Sequence, residues 1–137
     1  MSILIDSNVI IDLLDKSAEF AIWSFRQMDR LSNSGSLVIN QIAYAETASY
    51  FSDVADFDRV MAGLSVTRDD LPWEAAGMAG TAHRKYRKSG GLRDRVLPDF
   101  LIGSHALLRG YCLLTRDGRR YRTYFPKLEI IAPDTHP

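Results

Sequence analysis

The sequence predicts an α/β fold with a mainly parallel central sheet and helices on both of its faces. Short apolar runs at residues 3–5, 37–39, 111–115 and 128–131 alternate with segments of helical periodicity. Such alternation implies parallel strands joined by crossover helices. Two of those runs also deliver an aspartate at their carboxyl end, Asp6 and Asp117. In open α/β sheets ligands bind at the strand carboxyl ends, where diverging crossovers leave a crevice.

The elements follow in order. Residues 3–5 read as a buried strand, and Val9, Ile10, Leu13 and Leu14 behind it repeat with helical spacing. Ser7 is the expected N-cap of that helix, with Asp6 as the alternative. A break at Lys16 and Ser17 precedes a helix over 18–31. Its apolar arc, which includes Phe20, Ile22, Trp23 and Phe25, is wider than one core contact needs, so it serves either the core or a partner. Residues 33–36 form a turn and 37–39 a second strand, after which Asn40 caps a helix carrying Glu46. Another helix starts near Asp53 with Phe57, Val60, Met61 and Leu64 facing inward, and residues 64–67 read as an edge strand.

A long helix begins at Leu71-Pro72-Trp73, proline suiting a first turn, and has Trp73, Ala76, Gly77, Gly80 and His83 on one side. It stops at Ser89-Gly90-Gly91, and a charged loop over 92–97 leads to Pro98, the first position of a helix that Gly110 terminates. The strand at 111–115, a basic and aromatic stretch at 119–124 and a last strand at 128–131 complete the chain.

With 137 residues, 46% of them hydrophobic and 25% charged, the composition is that of one globular domain spanning 1–137 and excludes disordered and fibrous classes. A formal net charge of +0 argues against a surface that grips nucleic acid all over, and leaves room for a local basic patch. The one cysteine, Cys112, sits among apolar neighbours, as a buried inert thiol would, and forbids an intrachain disulfide. No apolar run approaches the roughly 20 residues that span a bilayer, and no cationic leader opens the chain. A cytoplasmic protein without membrane association is expected.

Four acids share one context. Asp6 and Asp117 end strands that open on the same edge of a parallel sheet. Asp99 lies in the first turn of a helix that must start at that edge to feed the strand at Cys112. Glu46 joins them if its own helix begins there. Two unit charges about 4 Å apart repel by roughly 4 kcal/mol at an effective dielectric of 20. Four converging carboxylates therefore make sense around a cation, and an all-oxygen set suits Mg²⁺ or Mn²⁺. Zinc is disfavoured, because Cys112, His83, His105 and His136 show no ligand spacing. A cation so held performs phosphate chemistry. Asn8 and Thr115 stand beside two of the acids as polar support. The basic runs at 83–95, which includes Arg93 and Arg95, and at Arg116, Arg119, Arg120 and Arg122 would flank the crevice and hold a polyanion, or are simply solvated ends of helices and loops.

Asp6-Ser7-Asn8 after an opening strand, an isolated Glu46, Pro98-Asp99-Phe100-Leu101-Ile102 heading a helix and Thr115-Arg116-Asp117 after a strand together resemble the PIN domain, and in length and arrangement the VapC-type toxins of bacterial toxin–antitoxin pairs. The resemblance implies a three-layer α/β/α sandwich and a Mg²⁺- or Mn²⁺-dependent endoribonuclease, often dimeric, inhibited by an antitoxin that covers the acidic crevice. By it Asp6, Glu46, Asp99 and Asp117 are catalytic and metal-binding, with Asn8 and Thr115 as support; from the basic runs, Arg93, Arg95 and Arg116 are expected to meet an RNA substrate. Gly103-Ser104 departs from the small alanines usual in the family. Asp94 is an extra acid, more simply a partner of Arg93 or Arg95 than a ligand. The competing reading is a PIN-like module that binds RNA or a partner without cutting. A haloacid-dehalogenase-like phosphatase would need an acid at position 8, where Asn8 stands.

Overall fold

The computed structural model describes residues 1–15, 19–91 and 96–137. Strands β1 (Ser2–Ile5), β2 (Ser36–Ile39), β3 (Val66–Arg68), β4 (Cys112–Leu114) and β5 (Ile130–Ile131) form one parallel sheet in the order β3-β2-β1-β4-β5. Helices α1 (Ser7–Leu14), α2 (Ala21–Ser32), α3 (Gln41–Ala48), α4 (Val54–Gly63), α5 (Trp73–Lys88), α6 (Leu97–Arg109) and α7 (Gly118–Tyr124) flank it in a PIN-like α/β/α arrangement.

β1 is the central strand of the sheet and is buried on both faces. Ile3, Leu4 and Ile5 are fully buried, and Ile3 is in register with Leu37 on one side and Cys112 on the other. Continuous burial on both faces is what a parallel sheet covered by helices demands. The ladder runs one residue past the strand, the Asp6 amide donating to the Leu114 carbonyl at 2.9 Å. That bond sets Asp6 at the rim where the apolar sheet stops.

Side-chain caps fix the starts of α3 and α4, and a glycine fixes the end of α6. The Asn40 carboxamide accepts from the Ile42 and Ala43 amides at 3.1 Å, Asp53 accepts from Ala55, and Gly110 closes α6 in the left-handed region at φ 71°. At α1 it is Asp6, not Ser7, that occupies the N-cap position. Its side chain makes no capping bond, and Ser7 is the first helical residue. The lone thiol of Cys112 is buried, and burial pushes it up to about 11, with the Glu129 charge adding to the rise.

Three points that the sequence leaves open are resolved in the structure. The inward stripe of α5 is Ala75 and Ala79, continued by partly buried Ala82 and Tyr86, while Trp73 is 93% exposed. Alanines let α5 lie close along α6, so the stripe bearing the larger residue turns outward. On α2, Trp23 is buried and its indole N–H donates to the His136 carbonyl at 2.6 Å, leaving Ile22 and Phe25 as the exposed apolar residues. The stretch at 119–124, read without an element, is most of α7. The expected break at 16–17, the start of the second helix at Ala18 and most of the charged loop, including Arg93, Asp94 and Arg95, lie outside the described residues.

Gly103 explains one departure from the family pattern. A Cβ there would come within 2.6 Å of the Phe125 ring and 3.1 Å of the Tyr121 ring. The missing side chain is what lets α7 dock against α6. Among the described residues, no helix is long and apolar enough to cross a membrane.

Candidate active site

Asp6 anchors the site. It is 4% exposed, and three donors converge on one of its oxygens, Oδ2: Thr115 Oγ1 at 2.9 Å, the Tyr121 hydroxyl at 3.0 Å and Asn8 Nδ2 at 3.3 Å. Oδ1 receives no donor among the described residues. Burial pushes the Asp6 carboxyl up to about 6, Asp99 and Glu46 adding their repulsion against the pull of Thr115 and Tyr121. A buried carboxylate that repels two neighbours is costly unless a cation joins it.

Asp99 lies in the first turn of α6, where the helix dipole favours a negative charge. Burial raises its pKa, the Arg120 guanidinium bonded to its Oδ2 lowers it, and Asp117 raises it again. The Tyr121 hydroxyl also reaches toward Asp99 Oδ1, at 3.5 Å. Glu46 is half-buried on α3 and accepts from Ser7 Oγ at 3.0 Å. Burial and Asp99 raise its pKa, and the Ser7 bond opposes them. Asp117 is exposed at the head of α7. Its amide donates to Thr115 Oγ1 at 3.1 Å, so Thr115 ties both strand-terminal acids together.

All four acids named from the sequence thus gather at one edge of the sheet, where Asp99 and Glu46 act on Asp6, Asp99 acts on Glu46 and Asp117 acts on Asp99. Asn8 is placed as expected: besides Asp6 it reaches Thr115 Oγ1 at 3.4 Å, and its Oδ1 accepts from the Arg116 amide at 3.1 Å. Among the described residues, the carboxylates do not close into a group of three or more at ligating range. The donor set nevertheless suits a hard divalent cation, being all oxygen, mutually repelling and held partly out of water.

Arg116, expected to meet the substrate, lines a groove with Asp117 and Arg120 and is also held by a pair of its own. Its guanidinium pairs with buried Asp12 at 3.5 Å and lies 5.8 Å over the Phe20 ring, and Asp12 also accepts from Ser24 at 3.1 Å. Sequence reasoning missed three contributors: Ser7 as a donor to Glu46, Arg120 as the partner of Asp99, and Tyr121. Burial and the surrounding acids drive the Tyr121 phenol well above its ordinary value, so it is a permanent donor. A groove of about 560 Å³ runs from Asp117 past Arg119, Arg120 and Tyr124. A second, apolar channel of about 450 Å³ lies between Leu13, Leu14, Ile22, Phe25, Val60 and Leu64.

The PIN domain family matches residues 3–126 of the chain. Among solved structures, a chain of the Rickettsia felis VapBC2 complex bound to a promoter DNA fragment superposes with a TM-score of 0.73 at 16% identity, covering 96% of this chain and 98% of that one. A chain of VapBC-1 from nontypeable Haemophilus influenzae gives 0.70 at 20% identity, with 96% and 98% covered. A chain of a toxin–antitoxin complex from Klebsiella pneumoniae gives 0.66 at 19% identity, with 95% and 96% covered. At these identities the likeness is one of fold. No curated protein matches by sequence.

Proposed function

The chain belongs to the PIN domain family, and on that premise we propose that it is a divalent-cation-dependent endoribonuclease, the toxin of a toxin–antitoxin pair. The observation that carries this reading is Asp6, a buried carboxylate pushed up to about 6 by burial and by Asp99, whose second oxygen is left without a donor among the described residues. Asp6, Asp99, Glu46 and Asp117 would hold Mg²⁺ or Mn²⁺, with Asp6 and Asp99 closest. Bound there, the cation supplies Lewis acidity, lowering the pKa of an attacking water and neutralising charge on the phosphoryl oxygens.

The chain's own residues do the rest. Thr115, Tyr121 and Asn8 fix Asp6 through Oδ2 and so orient its other oxygen. Tyr121 keeps its proton and donates, rather than acting as a base. Ser7 holds Glu46 toward the crevice, and Thr115 holds the backbone of Asp117 beside the groove where an RNA strand would lie. Arg116, together with Arg93 and Arg95, which lie outside the described residues, is the proposed contact for RNA phosphates. An amphipathic antitoxin helix suits the apolar channel at Ile22 and Phe25, which are 73% and 65% exposed. The toxin–antitoxin complexes among the structural neighbours support that partner. A homodimer and a cytoplasmic location complete the proposal.

The test is digestion of pooled cellular RNA by purified protein freed of any partner, with Mn²⁺ or Mg²⁺, with excess EDTA, and with Asp99→Asn in parallel. Discrete cuts that need the cation and fall by about 10²–10³-fold in the variant, the scale of losing one preorganised charged group, support the nuclease. RNA or protein binding that ignores the cation, without cutting, would instead make this a binding module.

A further inference from the structure

The arginines around α7 divide by what they hold. Arg116 pairs with Asp12 and Arg122 with Asp134, both outside the acid crevice. Arg120, alone among the described cations, is bonded to a crevice carboxylate, Asp99. Its side chain is 22% exposed and that of Asp99 23%, so the pair sits at the crevice lip, within reach of water. Arg120 also lines the groove that runs from Asp117 past Arg119 and Tyr124.

Two physical arguments meet at this residue. Of the four carboxylates at this edge, Asp99 is the one that pairs with a cationic side chain among the described residues, and a doubly charged cation of small radius neutralises neighbouring acids far better than a delocalised guanidinium. A pair that water can still reach exchanges more readily than one sealed in the interior. Once released, the planar guanidinium fork matches a phosphate as well as it matches a carboxylate. The groove it already borders is where the strand would run.

We propose that Arg120 is an exchangeable counter-ion: it holds Asp99 until a divalent cation takes that carboxylate, and then turns into the groove to bond a phosphate of the RNA. The proposal rests on the reading of the crevice as a cation-dependent RNA site. It separates Arg120 from Arg116, whose partner Asp12 lies outside the crevice and is not freed by a cation there.

Calorimetric titration of the full chain with Mn²⁺ tests the first half. Arg120→Gln should bind Mn²⁺ about threefold to tenfold more tightly than wild type, because its competitor is gone. Arg122→Gln removes the same charge from the same helix but frees only Asp134, and should leave the affinity as it was. Anisotropy with a cleavage-resistant phosphorothioate RNA tests the second half: Arg120→Gln should lose about tenfold in RNA affinity with Mn²⁺ present, and little in EDTA, where wild-type Arg120 is still engaged by Asp99. A melting curve establishes that each variant is folded. If wild type takes up no Mn²⁺, the cation-dependent reading fails and this proposal with it. If wild type takes up Mn²⁺ but Arg120→Gln binds it no more tightly, or loses RNA affinity equally with and without it, Arg120 is a fixed structural pair and the proposal is wrong.

Discussion

Two polar clusters sit at the carboxyl ends of neighbouring strands, one around Asp6 after β1 and one around His105, which reaches Asn40 after β2 and Asp69 after β3. In the second, each group has an answer. Asn40 Oδ1 is committed to the α3 amides, so its NH₂ faces His105 Nδ1 at 3.1 Å and makes that nitrogen the acceptor. His105 Nε2 then donates to Asp69 Oδ2 at 3.0 Å, and the Tyr111 hydroxyl donates to the same oxygen at 2.8 Å. Burial pushes the Asp69 carboxyl up, but the bonds from Tyr111 and His105 and the Arg109 charge outweigh it and hold it below its ordinary value. Burial lowers the His105 pKa, against the pull of Asp69, which raises it. In the first cluster the repulsion between acids remains, and burial adds to it. One cluster balances its charge within the fold; the other keeps unfavourable charge that the proposed cation would neutralise.

The contrast is sharpest in how stability responds to charge removal. Asp6 titrates at about 6 in the folded protein against an ordinary value of 3.8. The folded state therefore binds the proton more tightly, and stability is lost as pH rises between those values. Asp6→Asn in EDTA should remove that loss, stabilising the protein at pH 7.5 by on the order of 3 kcal/mol and flattening its pH dependence. Denaturant unfolding at pH 4 and pH 7.5 measures it. A wild-type curve as flat as the variant's would mean that the crevice is not strained.

His105→Phe should do the reverse. It strips a partner from the buried Asn40 amide and one donor from Asp69, and should cost about 2–3 kcal/mol, while Mn²⁺ affinity of the folded protein stays unchanged. A fall in that affinity would show that the two clusters are coupled through α3 and α6. A smaller effect is expected of Tyr121→Phe, which takes one of three donors from Asp6 Oδ2. Mn²⁺ affinity should drop about tenfold by calorimetry, with stability altered by less than about 1 kcal/mol.

How legible each cluster was follows from how local its signals are. Asp6, Asp99 and Asp117 were readable because a strand end or a proline-led helix start announces each within a few residues, and parallel pairing then puts them at one edge. Glu46 needed only that α3 begin at the same edge, which Asn40 marks. Tyr121 and Arg120 were not readable in their roles. Both depend on α7, a helix of seven residues whose N-cap position, Asp117, makes no side-chain capping bond. The usable trace was Gly103, whose missing Cβ admits the Tyr121 and Phe125 rings. The packed side of α5 was not readable either: the sequence groups Trp73 with Ala76, Gly77, Gly80 and His83 on one side without saying which side faces the core, and it is Ala75 and Ala79 that are buried.

The central claim is that the unbalanced charge around Asp6 is a divalent-cation site. Thermal unfolding at pH 7.5 against Mn²⁺ concentration, for wild type, Asp6→Asn and His105→Phe, tests it directly. A ligand that binds only the folded state raises the melting temperature with its concentration. Wild type and His105→Phe should rise in parallel, from different starting temperatures, while Asp6→Asn stays flat. A rise in Asp6→Asn equal to that of wild type would contradict the claim.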